Sequence, residues 1–79
     1  MTLLQATQKQ INQLCKEKNM NINKLAIASG INPSTIRSIF KVISKAPSSE
    51  TIHFICIGFG ISLKEFYDST LFHELDDND

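Results

Sequence analysis

The 79-residue chain has no tryptophan, two cysteines, two prolines and three glycines, and no long apolar run interrupts its polar residues. No window approaches the ~18 consecutive apolar residues that a membrane-spanning helix needs. The opening Met1-Thr2-Leu3-Leu4-Gln5 has neither the charged start nor the small-residue cleavage site of a secretory leader, so a cytoplasmic protein is expected. Cys15 and Cys56 fall on apolar helix faces by spacing, which reads as reduced, buried thiols rather than a disulfide. Strand-like alternation is also missing, because the β-branched residues recur at helical intervals. Sets of residues able to carry out chemistry are absent as well. Cys15, His53, Cys56 and His73 lack the paired short spacing of a structural zinc site. Gly58-Phe59-Gly60 has neither the preceding strand nor the following Lys-Ser/Thr of a phosphate loop, and Asp76, Asp77 and Asp79 lack the glycine and closing glutamate of a calcium loop. No nucleophile, base and orienting acid form a group, and a chain of this length encloses one modest core. The expectation is a protein that is not an enzyme and holds no metal, cofactor or small-molecule ligand.

What the chain does contain is punctuation at regular intervals. Apolar residues make up 42% and charged residues 20%, a globular balance that suits a single domain. A first helix is predicted from about Thr2 to Asn19, with Leu4, Thr7, Ile11, Leu14 and Cys15 as its inward stripe. Asn21 then supplies a side-chain oxygen for a second helix, and Gly30 ends it, because glycine enters the left-handed region without steric penalty. Asn32 is the next cap, with Pro33 at the first helical position, where its fixed φ suits the helix and its missing N–H costs nothing. Ile36, Ile39 and Phe40 form the inward face of this third helix, so Ser34, Thr35, Arg37, Ser38 and Lys41 point outward. Two short helices joined by one glycine turn make a helix-turn-helix. Pro47, Ser48 and Ser49 mark a connection and a cap, after which a fourth helix is predicted over roughly 50 to 59, with Gly60 as its stop. Ser62-Leu63-Lys64-Glu65 is a capping box opening a short fifth helix that should bury Leu63, Phe66 and Tyr67. The predicted fold is all-α, a compact bundle of five short helices. Residues 1–68 form the domain and residues 69–79 an acidic C-terminal tail whose last residues are too polar to pack, although Leu71, Phe72 and Leu75 could add one amphipathic turn.

A net charge of zero conceals a division of the chain. Residues 1–49 carry seven basic side chains against Glu17 alone, a net of +6, and residues 50–79 carry Lys64 against seven acidic side chains, a net of −6. The basic half contains the helix-turn-helix, which places a local positive field where a phosphate backbone would be met.

In order and spacing, these segments resemble the lambda-repressor-like helix-turn-helix domains of the Cro/repressor, or XRE, family. The resemblance spans about residues 7–68. It is carried by Leu25-Ala26-x-x-Ser29-Gly30-Ile31, Pro33-Ser34-Thr35-Ile36-x-Ser38-Ile39, Ala46-Pro47-Ser48-x-Glu50-Thr51-Ile52 and Ile55-Cys56-x-Gly58-Phe59-Gly60-Ile61-Ser62-Leu63-x-Glu65-Phe66. Small single-domain regulators of low-GC Gram-positive bacteria and their mobile elements are especially similar. The resemblance implies a sequence-specific transcriptional regulator, in the usual case a repressor, whose partner is double-stranded DNA read in the major groove. By position it assigns base contacts to Pro33, Ser34 and Ser38, with Thr35 and Arg37 beside them. It assigns phosphate contacts to Asn21, Asn23, Lys24, Lys41, Ser44 and Lys45. Arg37 is open to a bidentate pair with guanine, a contact to phosphate or a surface ion pair.

Where the family usually has Asn-Gly-Lys after the third helix, this chain has Lys41-Val42-Ile43. Ile27, Phe54 and Ile57 are apolar where relatives are usually polar. One reading helix covers only a few base pairs, so two copies on adjacent half-sites are expected, as a weak or DNA-induced homodimer. Phe54, Ile57, Leu71, Phe72 and Leu75 are the candidates for self-association, because the predicted core does not use them. The competing reading is a protein-interaction module on the same scaffold, an antitoxin-like or antirepressor-binding partner.

Overall fold

Helix caps written into the sequence set the boundaries of five helices in the computed structural model, which describes residues 1–41 and 45–76. They are α1 (Leu3–Glu17), α2 (Ile22–Ser29), α3 (Pro33–Ile39), α4 (Ser49–Phe59) and α5 (Leu63–Tyr67), followed by a 3₁₀ turn over Thr70–Phe72. No strand occurs among the described residues. Thr2 and Gln5 close a capping box on α1: the Gln5 N–H donates to Thr2 Oγ1 at 3.1 Å and the Thr2 N–H to Gln5 Oε1 at 2.9 Å. Asn21 Oδ1 accepts from the Lys24 N–H at 2.8 Å, and Asn32 Oδ1 accepts from the Ser34 N–H at 2.9 Å with Pro33 at the first helical position. Ser48 caps α4 through the Thr51 N–H, and Ser62 and Glu65 form the reciprocal box on α5. Gly30 and Gly60 end α2 and α4 at φ 71° and 73°. The end of α1 uses a left-handed residue that is not glycine. Asn19 sits at φ 53°, and the Met20 N–H donates to the Cys15 carbonyl at 2.8 Å to close the turn.

The caps aim the apolar stripes inward. Ile11 from α1, Leu25 from α2, Ile36 from α3, Ile52 and Ile55 from α4 and Phe66 from α5 are fully buried in one cluster. Two glutamines fasten the frame around it. Gln10 Nε2 donates to the Phe66 carbonyl at 2.8 Å, and Gln8 Nε2 donates to the Ile39 carbonyl at 2.8 Å, so α1 holds the ends of both α5 and α3. Packing of α2 on α4 requires close approach of backbone. A Cβ on Gly58 would overlap the Ser29 hydroxyl and lie 3.0 Å from the Ser29 nitrogen and 3.2 Å from Leu25 Cδ1. Ser29 Oγ is buried in that contact and makes no hydrogen bond.

Two expectations are corrected by the packing. Leu63 and Tyr67 are not buried but stand 37% and 38% exposed, because α5 is only five residues long and turns one side chain, Phe66, fully into the core. Phe72, expected to lie outside the core, is half-buried. It packs against the core, edge-on to Tyr67 at a centroid distance of 5.0 Å and 5.9 Å from Phe66, while its 3₁₀ turn rests on α1. Leu71 and Leu75 are half-buried beside it. The polar end of the tail therefore does not stop the apolar residues before it from covering α1 and α5. The chain is then drawn back to its start: the Asp76 N–H donates to the Met1 carbonyl at 3.0 Å, and the Met1 ammonium lies 3.2 Å from the Asp76 carboxylate.

Candidate nucleic-acid interface

α2, the Gly30 turn and α3 form a helix-turn-helix whose inner face is the core and whose outer face is polar. At about 100° per residue, Ile36, Ile39 and Phe40 turn α3 inward, and Ser34 and Ser38 stand near the middle of the opposite side. Arg37 and Thr35 lie about 80° to either side of that middle line. The two flanks meet different surroundings. On the Thr35 side, Thr35, Ser38, Ile39, Lys45, Pro47 and Thr51 line an open groove of about 300 Å³ between α3 and the start of α4. On the Arg37 side the neighbours are Asn21, Ile22 and Asn23 in the first turn of α2, together with Asn12 and Cys15 of α1.

Several polar groups on this face are already engaged. Ser34 Oγ donates to Asn32 Oδ1 at 2.8 Å, which uses its proton and leaves the exposed Ser34 hydroxyl as a hydrogen-bond acceptor. Ser38 Oγ donates to the Thr35 carbonyl at 2.7 Å. Arg37 Nη2 donates to Asn23 Oδ1 at 3.0 Å, which joins α3 to α2 across the turn. Sequence spacing gave no sign of this last contact, since the pair is 14 residues apart and meets only through the crossing of two helices. Thr51 and Pro47 were likewise missed as walls of the groove.

The charge around the site is uncompensated. Among the described residues the one ion pair is Met1 with Asp76, remote in sequence from the helix-turn-helix. Lys24, Arg37, Lys41 and Lys45 are exposed and have no carboxylate of the described residues within ion-pair distance. Ser44, expected at phosphate, and Val42 and Ile43 lie outside the described residues. Pro33 is half-buried, and Asn21 and Asn23 are exposed. Unpaired cations beside a polar helix face make a surface that attracts a polyanion. Elsewhere, burial pushes the Cys15 and Cys56 thiols up, the latter further through Glu65, and both thiols are free and buried.

This geometry defines a helix-turn-helix domain, and comparison with known proteins gives its family. A family model for the Cro/C1-type HTH DNA-binding domain matches residues 10–69, so the chain belongs to that family. Among solved structures, the crystal structure of the prophage Lp1 protein 11 matches with a TM-score of 0.83 at 31% identity, over 95% of this chain and 99% of that one. No curated protein matches. The chain is thus a Cro/C1-type DNA-binding domain, and no helix among its described residues is long and apolar enough to cross a membrane.

Proposed function

We propose that the protein is a sequence-specific transcriptional repressor that lays α3 in the major groove and blocks promoters by occupying its operator. The carrying observation is that Lys24, Arg37, Lys41 and Lys45, in and next to the helix-turn-helix, are exposed and pair with no carboxylate among the described residues, beside the polar outer face of α3. Pro33, Ser34, Thr35 and Ser38 meet base edges, with Arg37 at the rim of the same groove. Asn21, Asn23, Lys24, Lys41, Ser44 and Lys45 hold the phosphates on either side and fix the register of the helix. With its proton given to Asn32, Ser34 accepts from an adenine N6 or cytosine N4 amino group. These contacts cover a few base pairs, so two copies bind half-sites about one helical turn apart.

Selection of bound sequences from a random duplex pool tests this directly. An enriched inverted repeat is the expected result, and a pool that stays random refutes sequence-specific reading. A second reading draws on Ile27, which is 83% exposed, and on the exposed Phe54 and Ile57. These side chains would favour a protein-interaction module. Salt separates the two: affinity for a random duplex falls steeply with salt when several lysines displace counterions, and a flat response leaves the partner reading.

A further inference from the structure

We infer that Arg37 and Asn23 form one phosphate clamp that spans the two helices of the motif, so that the single arginine of the chain grips the DNA backbone and does not read a base. The inference rests on DNA binding by this face, as proposed above. Three observations carry it. Arg37 leaves α3 to one side of the line through Ser34 and Ser38, and its guanidinium is tied across the turn to Asn23 in the first turn of α2 at 3.0 Å. On that flank Arg37 shares a shallow depression with Asn21, Ile22 and Asn23 at the start of α2. It faces no carboxylate among the described residues, so its charge is available to an anion.

The tie also sets the chemistry of what remains. Asn23 Oδ1, the acceptor of that side chain, accepts from the guanidinium with one of its two lone pairs. Outward there remain four guanidinium N–H groups and the two amide N–H groups of Asn23, with the Lys24 ammonium in the same turn. A group rich in donors matches a phosphodiester, whose oxygens only accept, and the planar guanidinium can bind two of those oxygens at once. Asn23 is then a positioning residue: held by its carbonyl oxygen, Arg37 needs less ordering when the phosphate arrives. Sequence discrimination is left to Ser34, Thr35 and Ser38, none of which offers a bidentate pair. Low sequence discrimination per domain follows, which increases the dependence on two copies.

Wild type and the variants Arg37→Ala, Asn23→Ala, Asn23→Asp and the Arg37→Ala/Asn23→Ala pair are titrated with a selected duplex and a random duplex across a salt series. Arg37→Ala is expected to lose about tenfold on both duplexes alike and to reduce the salt slope by about 0.9, the share of one phosphate. Asn23→Ala loses about threefold on both duplexes. The double variant loses less than the product of the two single losses, because part of the Asn23 contribution runs through Arg37. Asn23→Asp keeps an acceptor for the guanidinium but places a negative charge on the clamp, so it loses more than Asn23→Ala. Thermal melting distinguishes this from a folding role, since both side chains are exposed and all variants should melt with wild type. A change in the preferred base for Arg37→Ala would make it a reader and overturn the clamp, and additive losses in the double variant would overturn the positioning role. If wild type enriches no sequence, specific recognition fails while the clamp is still judged on the random duplex, where the same loss and slope change are required.

Discussion

Replacing Gly58 with alanine adds one methyl group where α4 lies directly on α2. In an unconstrained helix this exchange would stabilise the protein by about 1 kcal/mol, through the lower entropy cost and better helix propensity of alanine. Here the new Cβ would overlap the Ser29 hydroxyl, and it would lie 3.0 Å from the Ser29 nitrogen and 3.2 Å from Leu25 Cδ1. The hydroxyl can rotate away, but the nitrogen belongs to the α2 backbone and Leu25 is fully buried, so relief requires the two helices to separate. Overpacking of this kind costs about 1–3 kcal/mol. The difference is a net loss of up to about 2 kcal/mol, or up to roughly 16 °C in Tm for a domain of this size. Calorimetric or circular-dichroism melting of wild type, Gly58→Ala, Ser29→Ala and the double variant measures it. Ser29→Ala alone should raise Tm, since it removes a buried hydroxyl that has no hydrogen-bond partner. The double variant should recover part of the loss but not all, because the backbone nitrogen remains in place. A Gly58→Ala variant that melts higher than wild type would refute the argument that this contact sets the spacing of α2 and α4.

Lys41→Ala and Lys45→Ala should each weaken binding to all duplexes alike and shallow the salt slope by about 0.9, as read from titrations across salt; an unchanged slope at either removes that residue from the interface. Phe72→Asp should lower Tm by several degrees rather than affect assembly alone, because Phe72 packs on Phe66 and Tyr67, whereas Phe54→Asp should weaken any dimer seen by sedimentation while leaving the monomer folded. Alkaline pH should destabilise the fold. Burial raises the thiols of Cys15 and Cys56, so above about pH 8.5 the unfolded chain loses thiol protons that the folded chain still holds, and stability declines until the folded thiols ionise too. The contribution is fully present below that pH. Urea titrations from pH 7 to 10 on wild type and on Cys15→Ala/Cys56→Ala check this: the variant should show the shallower decline, and equal slopes would exclude the thiols as its source.

Local chemistry was enough to locate most of the fold. Asn21, Asn32, Ser48 and Ser62 cap the helices that follow them, Pro33 opens α3, and Gly30 and Gly60 close α2 and α4, because each need is met within a few residues of chain. Helical spacing likewise predicted the buried Ile11, Ile36, Ile39 and Phe66. The polar outer face of α3 and the basic character of its half of the chain were legible for the same reason. Tertiary structure decided what depends on one helix meeting another. Asn23 and Arg37 pair because α2 and α3 cross, the value of Gly58 lies in Ser29 on a different helix, and the groove beside Thr35 is made by Pro47 and Thr51 from the next connection and helix. Phe72 is the plainest case. With Leu71 and Leu75 it reads as one amphipathic turn in an acidic tail, and only the apolar surface left open by α1 and by Phe66 and Tyr67 gives it a place to be buried. A periodic pattern specifies which side of a helix seeks cover, while the partner that supplies the cover is fixed by the packing of the whole chain.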